Sequence, residues 1–96
     1  MAVHVVIKRK YKVSNPEKLI PLLNELNERA KIQEGYISTK TLQSIENNDD
    51  YLVISKWETE ENWQIWFKSK ERRNLQGNVD SLIGERTFYE IFRSVT

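Results

Sequence analysis

An α+β fold, a four-stranded antiparallel sheet with helices against one face, is predicted by three observations on the 96-residue sequence. Four segments are rich in β-branched and aromatic residues, and two stretches between them carry apolar residues at helical spacing. The middle two strand segments are joined only by a short polar run, which suits antiparallel neighbours, whereas a helical stretch separates each outer pair. No cysteine is present, so packing and hydrogen bonds alone must close this single domain, residues 1–96.

Residues 3–13, Val-His-Val-Val-Ile-Lys-Arg-Lys-Tyr-Lys-Val, form the first predicted strand. Its odd positions, Val3, Val5, Ile7, Arg9, Tyr11 and Val13, make the core face, and His4, Val6, Lys8, Lys10 and Lys12 the other. Ser14-Asn15-Pro16-Glu17 then supplies an N-cap, a proline for the first turn and a carboxylate near the positive end of the helix dipole. The first helix presents Leu19, Leu22, Leu23, Leu26 and Ala30 on one side, with Pro21 expected to kink its early turns. Gly35 ends it, and residues 36–45 read as the second strand. Glu46-Asn47-Asn48-Asp49-Asp50 is a turn by composition, followed by a third strand over 51–57. Thr59 caps a second helix that carries Trp63, Trp66 and Phe67 on one face, and Lys68, Lys70, Arg72 and Arg73 toward its end suit its dipole. Ser69 caps a further helical piece bearing Leu75, Val79, Leu82 and Ile83, which Gly84 stops. Residues 87–93 close the chain as the fourth strand. The order β-α-β-β-α-β is the ferredoxin-like arrangement.

Composition excludes whole classes of chemistry. Without cysteine there is no disulfide framework, thiolate nucleophile, Cys-ligated zinc or iron–sulfur cluster, and a single histidine rules out a multi-histidine metal site. Fifteen Lys and Arg against fourteen Asp and Glu leave a net charge of +1, which provides no global field for nucleic acid or anionic membrane. The basic run from Lys8 to Lys12 lies on such a sheet, but the third strand lacks the glycine-aromatic pattern of an RNA-recognition motif. The acidic turn lacks the spacing and glycine of a calcium loop, and no metal site is predicted. No apolar run approaches the ~20 residues of a transmembrane helix, and the N-terminus reads as a strand, so no membrane association and a cytoplasmic location are expected.

An antiparallel sheet with helices on one side should be polar on the other. Here the third strand has Tyr51, Val53 and Trp57 on one parity and Leu52 and Ile54 on the other, and the fourth has Phe88 and Phe92 opposite Tyr89 and Ile91. Both faces therefore call for cover, which a second copy of the sheet would supply as a symmetric dimer; an unrelated third layer would serve as well.

Gly35-Tyr36-Ile37-Ser38, Tyr51 to Glu61, Ser69-Lys70-Glu71-Arg72-Arg73 and Phe88-Tyr89-Glu90-Ile91 together resemble the antibiotic biosynthesis monooxygenase family of dimeric α+β barrels. The resemblance implies two ferredoxin-like subunits packed sheet to sheet as a homodimer, each with a pocket between sheet and helices. Members of this family oxygenate quinol or polyphenol substrates with dioxygen and without metal or flavin, degrade haem, isomerise small signalling molecules, or have no known activity. Many members carry a histidine where this chain has Trp66, whereas haem degraders carry tryptophan there. The strand-one asparagine of haem degraders, and their histidine ten residues after that tryptophan, fall at about Arg9 and at Gln76, and an amide cannot replace an imidazole as axial ligand.

Arg9 and Trp66 are thus the candidate catalytic residues, and Arg9, Trp63, Trp66, Phe67 and Gln76 the candidate substrate-binding set, with no cofactor expected. Arg9 shares the core-facing parity, where an unpaired guanidinium is costly; it either faces an anionic ligand in a pocket or runs past the core to solvent or to a carboxylate such as Glu90. Trp63, Trp66 and Phe67 read equally as plain core packing. His4 lies on the opposite parity to Arg9 and reads as structural. No nucleophile motif, phosphate loop or spaced carboxylate pair is present. Three readings follow: cofactor-independent oxygenation of a small aromatic substrate, haem binding or degradation, and a non-catalytic ligand-binding or interaction module.

Overall fold

A computed structural model of the chain describes residues 2–11, 16–83 and 87–96. The elements are β1 (Val3–Lys10), α1 (Pro16–Lys31), β2 (Tyr36–Gln43), β3 (Asp50–Trp57), α2 (Glu60–Lys68), α3 (Lys70–Ile83) and β4 (Phe88–Arg93). The four strands form one sheet in the order β2-β3-β1-β4, and every neighbouring pair is antiparallel. This is the ferredoxin-like topology that the sequence predicts, with the second helical stretch divided in two at Ser69.

Two strands are shorter than expected. β1 stops at Lys10 rather than Val13, and β2 at Gln43 rather than Ile45. Pairing explains both ends. β3 begins at Asp50, which is opposite Lys10, and past that pair the ladder gives way to a bond into the turn, from Tyr11 N–H to the Asp49 carbonyl at 2.8 Å. Ser44 leaves the ladder to bond its N–H to the Asp50 carbonyl at 2.9 Å and closes the turn. The Asn47 side chain accepts from the Asp49 N–H at 3.0 Å, so an Asx turn organises the acidic loop. The Ser14 cap, the Gly84 stop and the last strand-one positions Lys12 and Val13 lie outside the described residues.

The core lies between the sheet and the helices. Val3, Val5 and Ile7 of β1 meet Val53 and Trp57 of β3, with Leu19, Leu26 and Ala30 of α1, Trp63 and Trp66 of α2, and Val79 and Ile83 of α3 above them. Trp57 is fully buried, and its indole N–H donates to Ser55 Oγ at 2.7 Å, which satisfies the one polar atom that the ring takes out of water. Tyr36 and Trp63 pack edge-on against Trp57 at 5.5 and 5.8 Å between centroids. Pro21 lies within α1, on its exposed side.

Two local devices orient α2. Thr59 is its N-cap and accepts from the Asn62 N–H at 3.0 Å. Gly35, at the turn leaving α1, has φ +86°, and its carbonyl accepts from Glu58 N–H at 2.7 Å. A β-carbon there would lie 2.3 Å from the Asn62 side chain, so the turn and the α2 N-terminus approach each other through the missing side chain.

The other side of the sheet is uncovered in the single chain. Register places Ser38, Lys56, His4 and Phe92 in one row, Lys40, Ile54, Val6 and Glu90 in the next, and Leu42, Leu52, Lys8 and Phe88 in a third. Leu42, Phe88 and Phe92 are each at least 40% exposed, which bears out the parity argument that this face is not polar throughout.

Two stability tests follow. Gly35→Ala should lower the unfolding free energy by about 2 kcal/mol or more, as left-handed strain adds to the Asn62 clash; an unchanged urea midpoint would refute this account of the turn. Ser55→Ala should cost about 1–3 kcal/mol by orphaning a buried indole N–H, and a double variant that also replaces Trp57 with Phe should show much less than the additive loss.

Candidate functional site

The central strand of the sheet aims a charged side chain into the helix-covered layer. Arg9 follows Val3, Val5 and Ile7 on the core-facing parity of β1 and is only 9% exposed. Its Nη2 donates to Gln76 Oε1 at 2.9 Å and its Nη1 to the Tyr11 hydroxyl at 3.2 Å, while Nε is buried without a partner. Of the two sequence readings for this residue, the solvent-facing one is therefore overturned. Glu90 is not its partner either, because Glu90 is opposite Val6 and shares the uncovered face with it.

Gln76 reaches Arg9 from α3, where the spacing of Arg72, Gln76, Val79 and Ile83 puts polar and apolar buried groups on one helix face. Its amide relays the contact outward: Nε2 donates to Asp80 Oδ1 at 2.9 Å and to Thr87 Oγ1 at 3.1 Å, and Thr87 donates to the same Asp80 oxygen at 3.1 Å. One polar string thus ties β1, α3 and the start of β4. It also fixes the amide orientation, with the carbonyl toward the cation and the NH₂ toward the carboxylate.

Arg72 is the residue that sequence reasoning missed. Its place among Lys68, Lys70 and Arg73 suggests a solvated charge complementing a helix end, yet it is 5% exposed. Its backbone N–H donates to Ser69 Oγ at 3.1 Å, so it belongs to the first turn of α3, and its side chain turns inward. The guanidinium lies 4.5 Å from the Phe67 ring centroid and 4.9 Å from that of Tyr89, donates to the Tyr89 hydroxyl, and reaches the Phe67 carbonyl at 3.4 Å. Burial pushes its pKa below the ordinary arginine value, and Tyr89 acts against that shift. The signal was available: Arg72 precedes Gln76, Val79 and Ile83 at intervals of a buried helical stripe.

Arg9, Arg72, Gln76, Trp63 and Trp66 line one cavity of about 40 Å³, together with Thr39, Ser55 and apolar residues of β1, β3 and α1. Four of the five sequence-predicted site residues therefore meet. Phe67 does not line this space; it packs behind it against Trp63, Tyr89 and Arg72, at 5.4, 5.1 and 4.5 Å. At roughly 10–15 Å³ for a water-sized occupant, the cavity holds a small polar group, and a flat ring enters only by displacing side chains. Tyr11 borders the cavity residue Arg9; burial raises its pKa above 10.0, with Arg9 pulling the other way, so at neutral pH it is a phenol and not a phenolate.

A second, larger space of about 640 Å³ opens on the uncovered side of the sheet, lined chiefly by Lys8, Lys10, Leu42, Leu52 and Phe88. Of the candidate residues only Arg9 borders it, and its walls are those of an apolar face and not of a buried polar site.

Haem fits this arrangement poorly. The position of the axial ligand is an amide already bonded on both sides, and His4, the only imidazole, belongs to the uncovered face. Among the described residues no group of three or more His, Asp or Glu is placed to hold a metal ion, and no helix is long and apolar enough to cross a membrane.

In sequence, no curated protein matches the chain significantly. In structure it is similar to a conserved protein from Methanosarcina mazei Go1, at 21% identity and TM-score 0.87 over 98% of this chain and 93% of the other. It is also similar to SnoaB, a cofactor-independent oxygenase from Streptomyces nogalater, at 12% identity and TM-score 0.86 over 99% and 94% of the two chains. Rv0793 from Mycobacterium tuberculosis matches at 12% identity and TM-score 0.84 over 100% and 97%. At these identities the likeness concerns the fold. The family is shown by sequence: the model of the antibiotic biosynthesis monooxygenase family matches residues 2–78, from β1 through most of α3, and the chain belongs to that family.

Proposed function

We propose that the protein is a monooxygenase that oxidises a small aromatic substrate, a quinol or polyphenol, with dioxygen and no added cofactor. The observation that carries this reading is the meeting of Arg9 and Trp66 in one buried cavity between sheet and helices. Family membership and the fold shared with a cofactor-independent oxygenase support it.

The substrate itself is the reductant. A phenol that loses its hydroxyl proton to water becomes a phenolate, which passes one electron to dioxygen. The resulting radical and superoxide combine at a ring carbon, and the peroxide loses water. One oxygen atom stays as a quinone carbonyl, the other leaves as water, and the ring C–H and O–H supply its hydrogens. Arg9 favours ionisation and holds the charge as it moves from phenolate to oxygen. Trp66 provides a flat wall for the ring. Gln76 keeps the guanidinium in place.

The active unit in this proposal is a homodimer. Its two-fold contact is the uncovered face, where Phe88, Phe92, Leu42, Leu52 and Ile54 expose apolar surface in register. The cysteine-free chain suits a reducing compartment, and we place it in the cytoplasm.

Oxygen uptake by metal-stripped protein with a panel of hydroquinones tests the reaction. Arg9→Ala should lower the rate by about 100-fold or more, and Trp66→Phe should raise KM more than it lowers kcat. Rates equal to buffer, or equal among wild type and both variants, overturn the reading; ligand binding without uptake would favour a non-catalytic binding module. Sedimentation tests the assembly: Phe92→Glu should convert a dimer to a folded monomer, and a monomeric wild type would refute the two-fold contact.

A further inference from the structure

We infer that the sheet–helix cavity is an oxyanion site built from two guanidiniums, Arg9 and Arg72, so that its aromatic ligand carries an acidic group. The inference rests on the proposed pocket but not on turnover, and it narrows the substrate class from quinols in general to aromatic acids.

Both guanidiniums line the cavity and both are more than nine-tenths buried. A buried cation ordinarily sits against a carboxylate, since the cost of removing it from water is several kcal/mol. Among the described residues no carboxylate lies within ion-pair distance of either one; the ion pairs found involve Arg29 with Glu25 and Glu71, and Lys31 with Glu28. Their partners are neutral instead. Arg9 has an amide and a phenol, and Arg72 has a phenol, a carbonyl and aromatic faces. The one carboxylate near the string, Asp80, bonds to Gln76 and Thr87, a step removed from Arg9. Arg9 keeps a buried Nε–H without an acceptor. Each cation also opposes the other: Arg9 acts to lower the Arg72 pKa, and the Asp80 carboxylate, acting through space and not in contact, offsets this only in part.

Two like charges held apart by neutral groups around a small cavity are a preorganised anion trap. A carboxylate has the right size for about 40 Å³, can accept from both forks, and relieves the repulsion between them. The ring attached to it exceeds that volume and would enter along Trp66 and Trp63 by displacing side chains that line the same space.

The test is a matched pair of flat probes, benzoate and benzamide, that differ mainly in charge, titrated against the wild-type protein with tryptophan fluorescence as the readout. Benzoate should bind about tenfold or more tightly than benzamide, and chloride should compete with benzoate alone. In Arg72→Met that preference should fall toward unity, and in Arg72→Lys it should be partly retained. Circular dichroism checks that each variant is folded. Equal affinity of the two probes, or no saturable benzoate binding to wild type, overturns the oxyanion site even where a variant fails to fold. The two proposals separate cleanly: benzoate preference without oxygen uptake keeps the anion site and removes the oxygenase, and uptake without preference does the reverse.

Discussion

A guanidinium on the core-facing side of the central strand constrains everything built over it. Arg9 takes the place in the β1 alternation where Val3, Val5 and Ile7 would predict another apolar residue, and its charge cannot be left among hydrocarbon. The structure answers with a polar string, Arg9 to Gln76 to Asp80 and Thr87, which reaches the protein's exterior through α3. That string dictates the face α3 presents, since Gln76 must come down over β1 for the bond to form. It also accounts for a polar stripe on a helix whose remaining buried residues are Val79 and Ile83.

Around this polar centre the aromatic residues act as walls. Trp57, fixed by Ser55, carries Trp63, which in turn contacts Phe67 and Tyr89. Arg72 closes the group from α3 by lying over Phe67 and Tyr89. The stacking keeps that guanidinium in a fixed plane without neutralising it, and this separates positioning from charge compensation. Phe67 packs behind the cavity against Arg72 and does not line it. Its i+4 relation to Trp63 is readable in the sequence; which of the two lines a cavity is not.

The elements and their order were legible because the strand and helix periodicities agree with the caps and turns at Thr59, Gly35 and 46–50. Arg9, Trp66, Trp63 and Gln76 were legible as a set only through parity together with a family resemblance. Strand ends were not, since β1 ends where its partner begins and not where its own β-propensity fails, as Tyr11 illustrates. Arg72 was hidden for a different reason. Lys68, Lys70 and Arg73 surround it and resemble a dipole-compensating cluster, and only the start of a new helix at Lys70 reorients that one residue inward. A helix break one residue long decides whether a charge is solvent or site.

β1 serves two surfaces at once, and this makes its register the critical variable. Odd positions end in Arg9 beneath the helices; even positions, His4, Val6 and Lys8, belong to the uncovered face. A slip of one residue would exchange the two sets, placing Lys8 or Lys10 over the core and Arg9 among the apolar rows of the open side. Pairing on both flanks, with β3 over its full length and with β4 from Val3 to Lys8, opposes that slip far more strongly than a single edge would. The fold therefore does not merely house the pocket. The same ladder that fixes which atoms of β1 meet Gln76 also fixes which ones lie on the uncovered face, so the position of the buried charge and the character of the opposite face are set together.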